Sequence, residues 1–240
     1  MNSKGEKSTF LRNCYHQACI DGDLATIKNI SPDLINAKDN DGNTCLHLAV
    51  IHEHVEIVRF IHSCKNVNLM ANNPDSSKPL EIACKKRNLE IIQILANPIT
   101  VNIIIDYPSI ENVMPMESPY EFLTQSYMRE KDYEVVSILA PHDERVDYGY
   151  KRTPLILAVQ MEDERLVQMF LNKKLNNINY IDETALSIAC MKENYFIIKM
   201  IMASPFMSLS RDYGELALRA TINNKERSCL ELLLAYLPPD

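Results

Sequence analysis

The sequence predicts an all-α solenoid of about six to seven helix-turn-helix repeats joined by short hairpin turns, with an irregular, enlarged fourth repeat. Three observations predict it. A turn, a short helix and a second helix recur along almost the whole chain; the clearest copy is Asp41-Gly42-Asn43-Thr44-Cys45-Leu46-His47-Leu48-Ala49, followed by His54-Val55-Glu56-Ile57-Val58-Arg59-Phe60-Ile61. Leu46 and its counterpart Leu80 stand 34 residues apart. An independent mark after the second helix, a β-branched residue followed by Asn or Asp, falls at Ile35-Asn36, Val67-Asn68, Val101-Asn102, Val146-Asp147 and Ile178-Asn179, in steps of 32, 34, 45 and 32 residues. The long step puts about 12 extra residues in repeat four.

Local chemistry explains the clearest copy. Asp41-Gly42 is a turn dipeptide, and Gly accepts a positive φ without steric cost. The Thr44 hydroxyl can accept from an orphan N–H at the start of the first helix, and His47 lies three residues on, within its reach. Leu46 and Ala49 take the buried face, where the small Ala49 lets neighbouring helices approach. Ile57, Val58 and Ile61 follow helical spacing and form the apolar stripe of the second helix. Gly is scarce, at 5 of 240 residues. Asn36, Asn68 and Asn179 are therefore expected to take left-handed turn positions, which Asn tolerates.

In chain order, residues 1–9 read as a flexible N-terminus and 10–240 as one domain, with repeats near 10–36, 37–69, 70–102, 103–147, 148–179, 180–210 and 211–237. Repeat one is a half-unit, an N-terminal cap: Tyr15-His16-Gln17-Ala18, the turn Asp21-Gly22-Asp23, then Leu24, Ile27 and Ile30. Repeat three carries Lys78-Pro79-Leu80-Glu81-Ile82-Ala83 and Asn88-Leu89-Glu90-Ile91-Ile92. In repeat four, Ser118-Pro119-Tyr120-Glu121 is expected to open a helix, with Ser as N-cap, Pro at the first position and Glu as reciprocal partner. That helix reads about one turn longer than the others. Its second helix is Tyr133-Glu134-Val135-Val136-Ser137-Ile138-Leu139. Repeat five has Thr153-Pro154-Leu155-Ile156-Leu157-Ala158 and Leu166 to Leu171. Repeat six has Thr184-Ala185-Leu186-Ser187-Ile188-Ala189 and Phe196-Ile197-Ile198. Repeat seven is weaker, with Gly214 to Leu218 and Cys229 to Leu234. Repeat four, with its insertion and no Ala-type packing position, is the expected weak joint.

These segments resemble the ankyrin repeat, whose signature is close to D-x-x-G-x-T-P-L-H-x-A. The resemblance covers roughly residues 10 to 237. It departs where repeats two and six lack the Pro, where His occurs only at His47, and in the enlarged repeat four. The resemblance implies a structural role for the Thr44–His47 pair. It also implies a non-enzymatic module that binds one partner protein through a concave face built from hairpin tips and first helices. Degenerate repeats rich in Ile, Asn and Lys are similar to those of ankyrin effectors of intracellular bacteria and of poxviral ankyrin proteins, which implies action on a host protein. Two alternatives stay open: a structural subunit of a larger complex, and an enzyme using Cys and His on the solenoid.

Composition narrows the classes. A formal charge of −7 argues against nucleic acid and anionic membrane as partners. No apolar run approaches the ~18 residues of a membrane span, and Met1 to Ser8 has no apolar core of a secretion leader. Seven Cys, an odd number scattered at helical positions, fit reduced thiols and a cytoplasmic location, the host cytoplasm for an effector. No cofactor is expected, and the chain is expected to be a monomer.

Candidate chemistry is sparse. His52-Glu53-His54 lacks the spacing of a zinc-protease helix, and Cys14, His16 and Cys19 have no second ligand set at zinc spacing. Core cysteines are the simpler account. Lys85-Lys86-Arg87 is either a solvated helix end or a contact for an acidic partner segment. The candidate partner-binding residues are the exposed ends of the first helices: Ile51 and His52, Lys85 and Lys86, Gln160 and Met161, Met191 and Lys192. The apolar members are the informative ones, because solvation does not explain them and Met suits adaptable contacts. A second candidate is the apolar stretch from Asn97 to Glu117. Its early part is expected to be the hairpin of repeat four, and its later part, with Tyr107 and Ile110, either folds back on the core or docks a partner.

Overall fold

A computed structural model of the chain describes residues 3–101, 104–106, 120–142, 153–171, 184–204, 217, 221–222 and 227–236. It comprises two compact units, Met1–Val101 and Asn102–Asp240.

The first unit holds α1 (Ser3–Asp21), α2 (Leu24–Ile27), α3 (Cys45–Ile51), α4 (Val55–Ser63), α5 (Pro79–Lys86), α6 (Leu89–Leu95) and the short α7 (Pro98–Val101). First helices stack on first helices, α1 on α3 and α3 on α5; second helices stack likewise, α2 on α4 and α4 on α6. The core is the stripe that the spacing predicts: Leu46, Ala49, Ile57, Val58, Ile61, Leu80, Ala83, Ile91 and Ile92 are all buried. Each large aliphatic side chain there contributes about 1.5–3 kcal/mol by leaving water. Helix α1 begins at Ser3, so helical backbone runs through residues 3–9, where the sequence predicts a flexible N-terminus.

The second unit holds β1 (Ile104–Asp106), β2 (Tyr120–Phe122), α8 (Leu123–Arg129), α9 (Tyr133–Leu139), α10 (Pro154–Gln160), α11 (Glu164–Leu171), α12 (Ala185–Met191), α13 (Tyr195–Met202) and α14 (Arg227–Tyr236). Here α10 packs on α12, and α9, α11 and α13 pack in succession. Ala217, Cys229 and Leu233 are buried.

Two expectations for repeat four are corrected. Tyr120 and Glu121 do not open a helix: Tyr120–Phe122 is a strand, antiparallel to β1, with Ile104 opposite Phe122 and Asp106 opposite Tyr120. Tyr and Phe favour extended backbone, and the ladder satisfies peptide groups that the cap reading left to Ser118 and Glu121. The first helix then starts at Leu123 and has 7 residues, like α3 and α10, with no added turn. The stretch after α6 is also not all hairpin. Asn97 Oδ1 accepts from the Ile99 and Thr100 amides and starts α7 before β1.

One turn recurs between the helices of every described pair. A single residue adopts the left-handed conformation: Gly22, Glu53, Arg87, Lys131, Glu162 and Glu193, with φ between 54° and 79°. The amide of the next residue then reaches back to the first helix. Asp23, His54, Asn88, Asp132, Asp163 and Asn194 donate to the carbonyls of Ala18, Ala49, Ala83, Tyr127, Ala158 and Ala189 at 2.9–3.2 Å. Asp23, Asn88, Asp132, Asp163 and Asn194 also cap the second helix through their side chains. Asn36 and Asn68 are not left-handed, contrary to the sequence expectation. The Asn36 side chain instead bridges repeats, donating to Asn66 O at 2.7 Å and accepting from the Asn68 amide at 2.8 Å. Asn179 lies outside the described residues.

First helices begin in a similarly regular way. Thr44, Thr153 and Thr184 accept from the amides of His47, Ile156 and Ser187. His47 is fully buried. Its Nδ1 lies 2.8 Å from Thr44 Oγ1 and accepts from the Thr44 amide, and its Nε2 donates to Ser77 O at 3.3 Å in the next repeat. The structural role implied for the pair is thus a bond within one repeat and a bond to its neighbour.

Burial holds the His47 pKa below its ordinary value of 6.5, against the Ser77 and Ala71 carbonyls. The unfolded chain therefore takes up this proton first, so His47 stabilises the fold fully above pH 6.5 and progressively less as pH falls through its folded pKa. His47→Asn should cost about 1–3 kcal/mol at neutral pH. The gap from wild type should narrow as pH drops in urea titrations, and a gap that widens contradicts the assignment. At the turns, a Cβ on Gly22 would meet His54 Cε1 at 2.8 Å, at φ +79°. Gly22→Ala should therefore destabilise the first unit by about 1–2 kcal/mol, while Glu162→Gly should stay within about 1 kcal/mol of neutral. Thermal unfolding checks both.

Candidate functional site

The exposed ends of the first helices are set by the recurrent turn, because each lies next to the left-handed residue. In the first unit Ile51 is half-buried, and His52, Lys85 and Lys86 are exposed. Lys86 Nζ lies 3.6 Å from the Glu53 carboxylate of the preceding repeat, and Lys85 Nζ donates to Ser77 Oγ at 3.1 Å. Asn88 also donates to Glu53, at 3.1 Å. Lys86 thus braces its repeat against the preceding one, while Lys85 is tied to Ser77 of its own repeat. His52 and His54 are stacked in the inter-helix turn with ring centroids 6.3 Å apart, and His54 Nε2 donates to Ile20 O at 2.9 Å. Among the described residues, no group of three or more His, Cys, Asp or Glu could hold a metal ion.

In the second unit Gln160 and Met161 are half-buried, and Met191 and Lys192 are exposed. Lys192 Nζ donates to Glu162 at 3.0 Å, repeating the brace of Lys86 on Glu53. A further brace is centred on the buried Asp163. Asp163 accepts from Tyr133 Oη at 2.7 Å, and Arg165 lies over the Tyr133 ring at 4.0 Å. The hydrogen bond to Asp163 raises the Tyr133 pKa, with burial adding to it.

Sequence reasoning missed two aromatic residues beside Met191. Tyr195 and Phe196 open α13 and are exposed, Phe196 at 56%. The signal was present in the register. Counting from the capping residue, Phe196 occupies the place of Glu56, Glu90, Glu134 and Arg165, a charged residue in four of the other five pairs; the first pair has Ala25 there. Met191, Tyr195 and Phe196 thus form an apolar corner around the α12–α13 turn. Tyr107 and Ile110 lie outside the described residues.

A second group was only half seen. His16 and Cys19, one turn apart on α1, lie on the helix that packs on α3, which begins at Cys45. All three are buried, whereas Cys14 is half-buried. Among the described residues, no helix is long and apolar enough to cross a membrane.

Comparison with known proteins places these features. Residues 15–105 and 123–210 match a family model described as ankyrin repeats in three copies. Over 86 residues the chain is 37% identical to a Saccharomyces cerevisiae protein named probable 26S proteasome regulatory subunit p28, covering 33% of this chain and 37% of that one. Over 65 residues it is 38% identical to the Drosophila melanogaster nuclear factor NF-kappa-B p110 subunit, covering 25% of this chain and 7% of that protein. The chain thus spans well under half the length of these relatives. It is similar in fold to the crystal structure of the ankyrin repeat domain of Bcl-3, with a TM-score of 0.50 and 20% identity over 80% of this chain and 85% of that one. With the family model matching both units, the chain belongs to the ankyrin-repeat family.

Proposed function

We propose that the chain is a non-enzymatic protein-interaction module whose partner is a protein. The observation that carries this reading is the apolar corner of Met191, Tyr195 and Phe196, with Phe196 standing where four other pairs carry a charge. An exposed aromatic beside a methionine is the composition of a protein contact rather than of a solvated surface. A preformed surface on packed helices limits the ordering cost of binding. Gln160 and Met161, at a helix end of the same unit, extend the proposed contact, and Ile51 and His52 are a separate candidate contact on the first unit. Lys85, Lys86 and Lys192 contribute less, because each is tied to another group of its own unit. Tyr107 and Ile110 belong to the proposed alternative docking segment.

Action on a host protein, as for bacterial or poxviral effectors, is supported by the richness in Ile, Asn and Lys alone. Membership of a larger complex is favoured by a different observation, the 37% identity to a probable proteasome regulatory subunit over a third of the chain. In that reading the same apolar corner is covered by a fixed neighbour. Native-size analysis of the tagged chain in cell extract separates the two: a fixed complex elutes far above the 27.5 kDa of the chain, whatever its concentration.

The test of the module is paired affinity capture. Wild type is compared with Met191→Glu/Phe196→Glu and with Ile51→Glu/Met161→Glu, after circular dichroism shows each folded. A protein whose recovery falls at least tenfold with the first variant supports the α12–α13 corner; that ratio corresponds to about 1.4 kcal/mol, well within what a buried aromatic anchor supplies. Loss only with the second variant moves the contact to the other helix ends. Equal recovery with both overturns the proposed surface.

A further inference from the structure

Within each unit, ion pairs join successive inter-helix turns. In the first unit Glu53 is met by Lys86 at 3.6 Å; in the second, Lys131 is met by Asp163 at 3.8 Å and Glu162 by Lys192 at 3.0 Å. Each time the left-handed residue of one repeat faces an opposite charge from the following repeat. The ladder stops at Glu193. It holds the same left-handed conformation, at φ 56°, and is exposed. Among the described residues, no cation pairs with its carboxylate. The sequence gives the reason. Lys86 and Lys192 immediately precede the turn residues of their repeats, and 31 residues after Lys192 stands the uncharged Asn223. The same step of 31 residues relates Cys190 to Thr221, both fully buried, and exposed Met191 to Ile222, which is 62% exposed.

The open carboxylate borders the apolar corner. The Glu193 amide donates to Cys190 O and the Glu193 carbonyl accepts from the Tyr195 amide, both at 3.1 Å, so one fixed turn carries Met191, Glu193 and Tyr195. The cations of the neighbourhood are engaged or displaced. Lys192 is held by Glu162, and Arg165, at the place of Phe196 in the preceding repeat, lies over the Tyr133 ring. Lys199 stands one turn further along α13. The charge left beside the apolar side chains is therefore negative, although Lys is common at the equivalent place.

We propose, on the reading of this corner as a partner contact, that its occupant is a segment of a partner protein pairing a bulky apolar side chain with a neighbouring Lys or Arg. The apolar side chain packs on Met191 and Phe196, and the cation completes the ladder at Glu193. Docking of the apolar side chain shields the new pair from water, so it contributes more than an open surface pair does. The same carboxylate repels acidic segments, so it selects among apolar partners as well as attracting basic ones. Ile222 continues the apolar strip past Met191 in the same unit.

The full chain is immobilised, and a random peptide library displayed on phage is selected on it at neutral pH. Peptides that bind the wild type but not Met191→Ala/Phe196→Ala, a variant that removes the apolar contact without adding charge, are those held at the corner. They should be enriched in Lys or Arg beside an aromatic or large aliphatic residue. Glu193→Lys keeps the turn, because Lys131 holds the same conformation in repeat four; circular dichroism checks both variants. Glu193→Lys should weaken a synthetic copy of the best corner peptide by roughly fivefold or more, and exchanging the peptide's cation for Glu should restore most of that loss. Selection on Glu193→Lys should yield acidic peptides instead. Corner peptides without basic enrichment, or with equal affinity for Glu193→Lys, overturn the proposal and leave the corner as a contact. Peptides none of which depend on Met191 and Phe196 overturn the contact and the proposal together.

Discussion

The structure depends on one backbone hydrogen bond, made six times among the described residues. In each pair, a left-handed residue turns the chain so that the following amide meets a carbonyl of the first helix. That bond fixes where the second helix begins, and with it which residues of both helices face the core. A one-residue slip would rotate the stripe by about 100° and expose it. Only Gly22 is the residue that suits the conformation best. Glu53, Arg87, Lys131, Glu162 and Glu193 hold it at some steric cost, as packing on both sides over-determines the turn. Glu53 and Glu162 use the same position to receive Lys86 and Lys192 of the following repeat. The turn therefore orders each pair and also helps to join it to the next.

Most of the fold was legible because the buried face follows from period and residue type. Leu46, Leu80, Leu155 and Leu186 mark the first helices, and the Ile and Val stripes mark the second. What was not legible was backbone conformation against propensity. Nothing in Glu or Lys announces a left-handed φ, so Asn36 and Asn68 were the natural choice on propensity. Their surroundings overrode it, because Asn36 makes two hydrogen bonds to the next repeat. Repeat four misled for a similar reason. Ser118-Pro119-Tyr120-Glu121 is a good cap by local chemistry, but strand pairing with Ile104–Asp106 competes for Tyr120 and Glu121.

The candidate surface divides along the same line. The exposed positions at the ends of first helices could be placed by register, but which charges were already engaged required coordinates. Lys86 and Lys192 look like a partner's ion-pair sites in sequence and are braces in the structure. Phe196 was overlooked because Phe in an Ile-rich helix reads as core; only alignment with Glu56, Glu90, Glu134 and Arg165 reveals it as exposed.

The measurement that tests this account most directly is residue-resolved amide exchange on the folded chain. The amides of Asp23, His54, Asn88, Asp132, Asp163 and Asn194 should be protected like helix-interior amides, although all six sit in inter-helix turns. Asp132, which bonds to Tyr127 where the other five bond to Ala, should be the least protected of them. Exchange of the six at the rate of open loops, or repeat four among the best-protected segments, would contradict the claim that this bond sets the register and that repeat four is the weak joint.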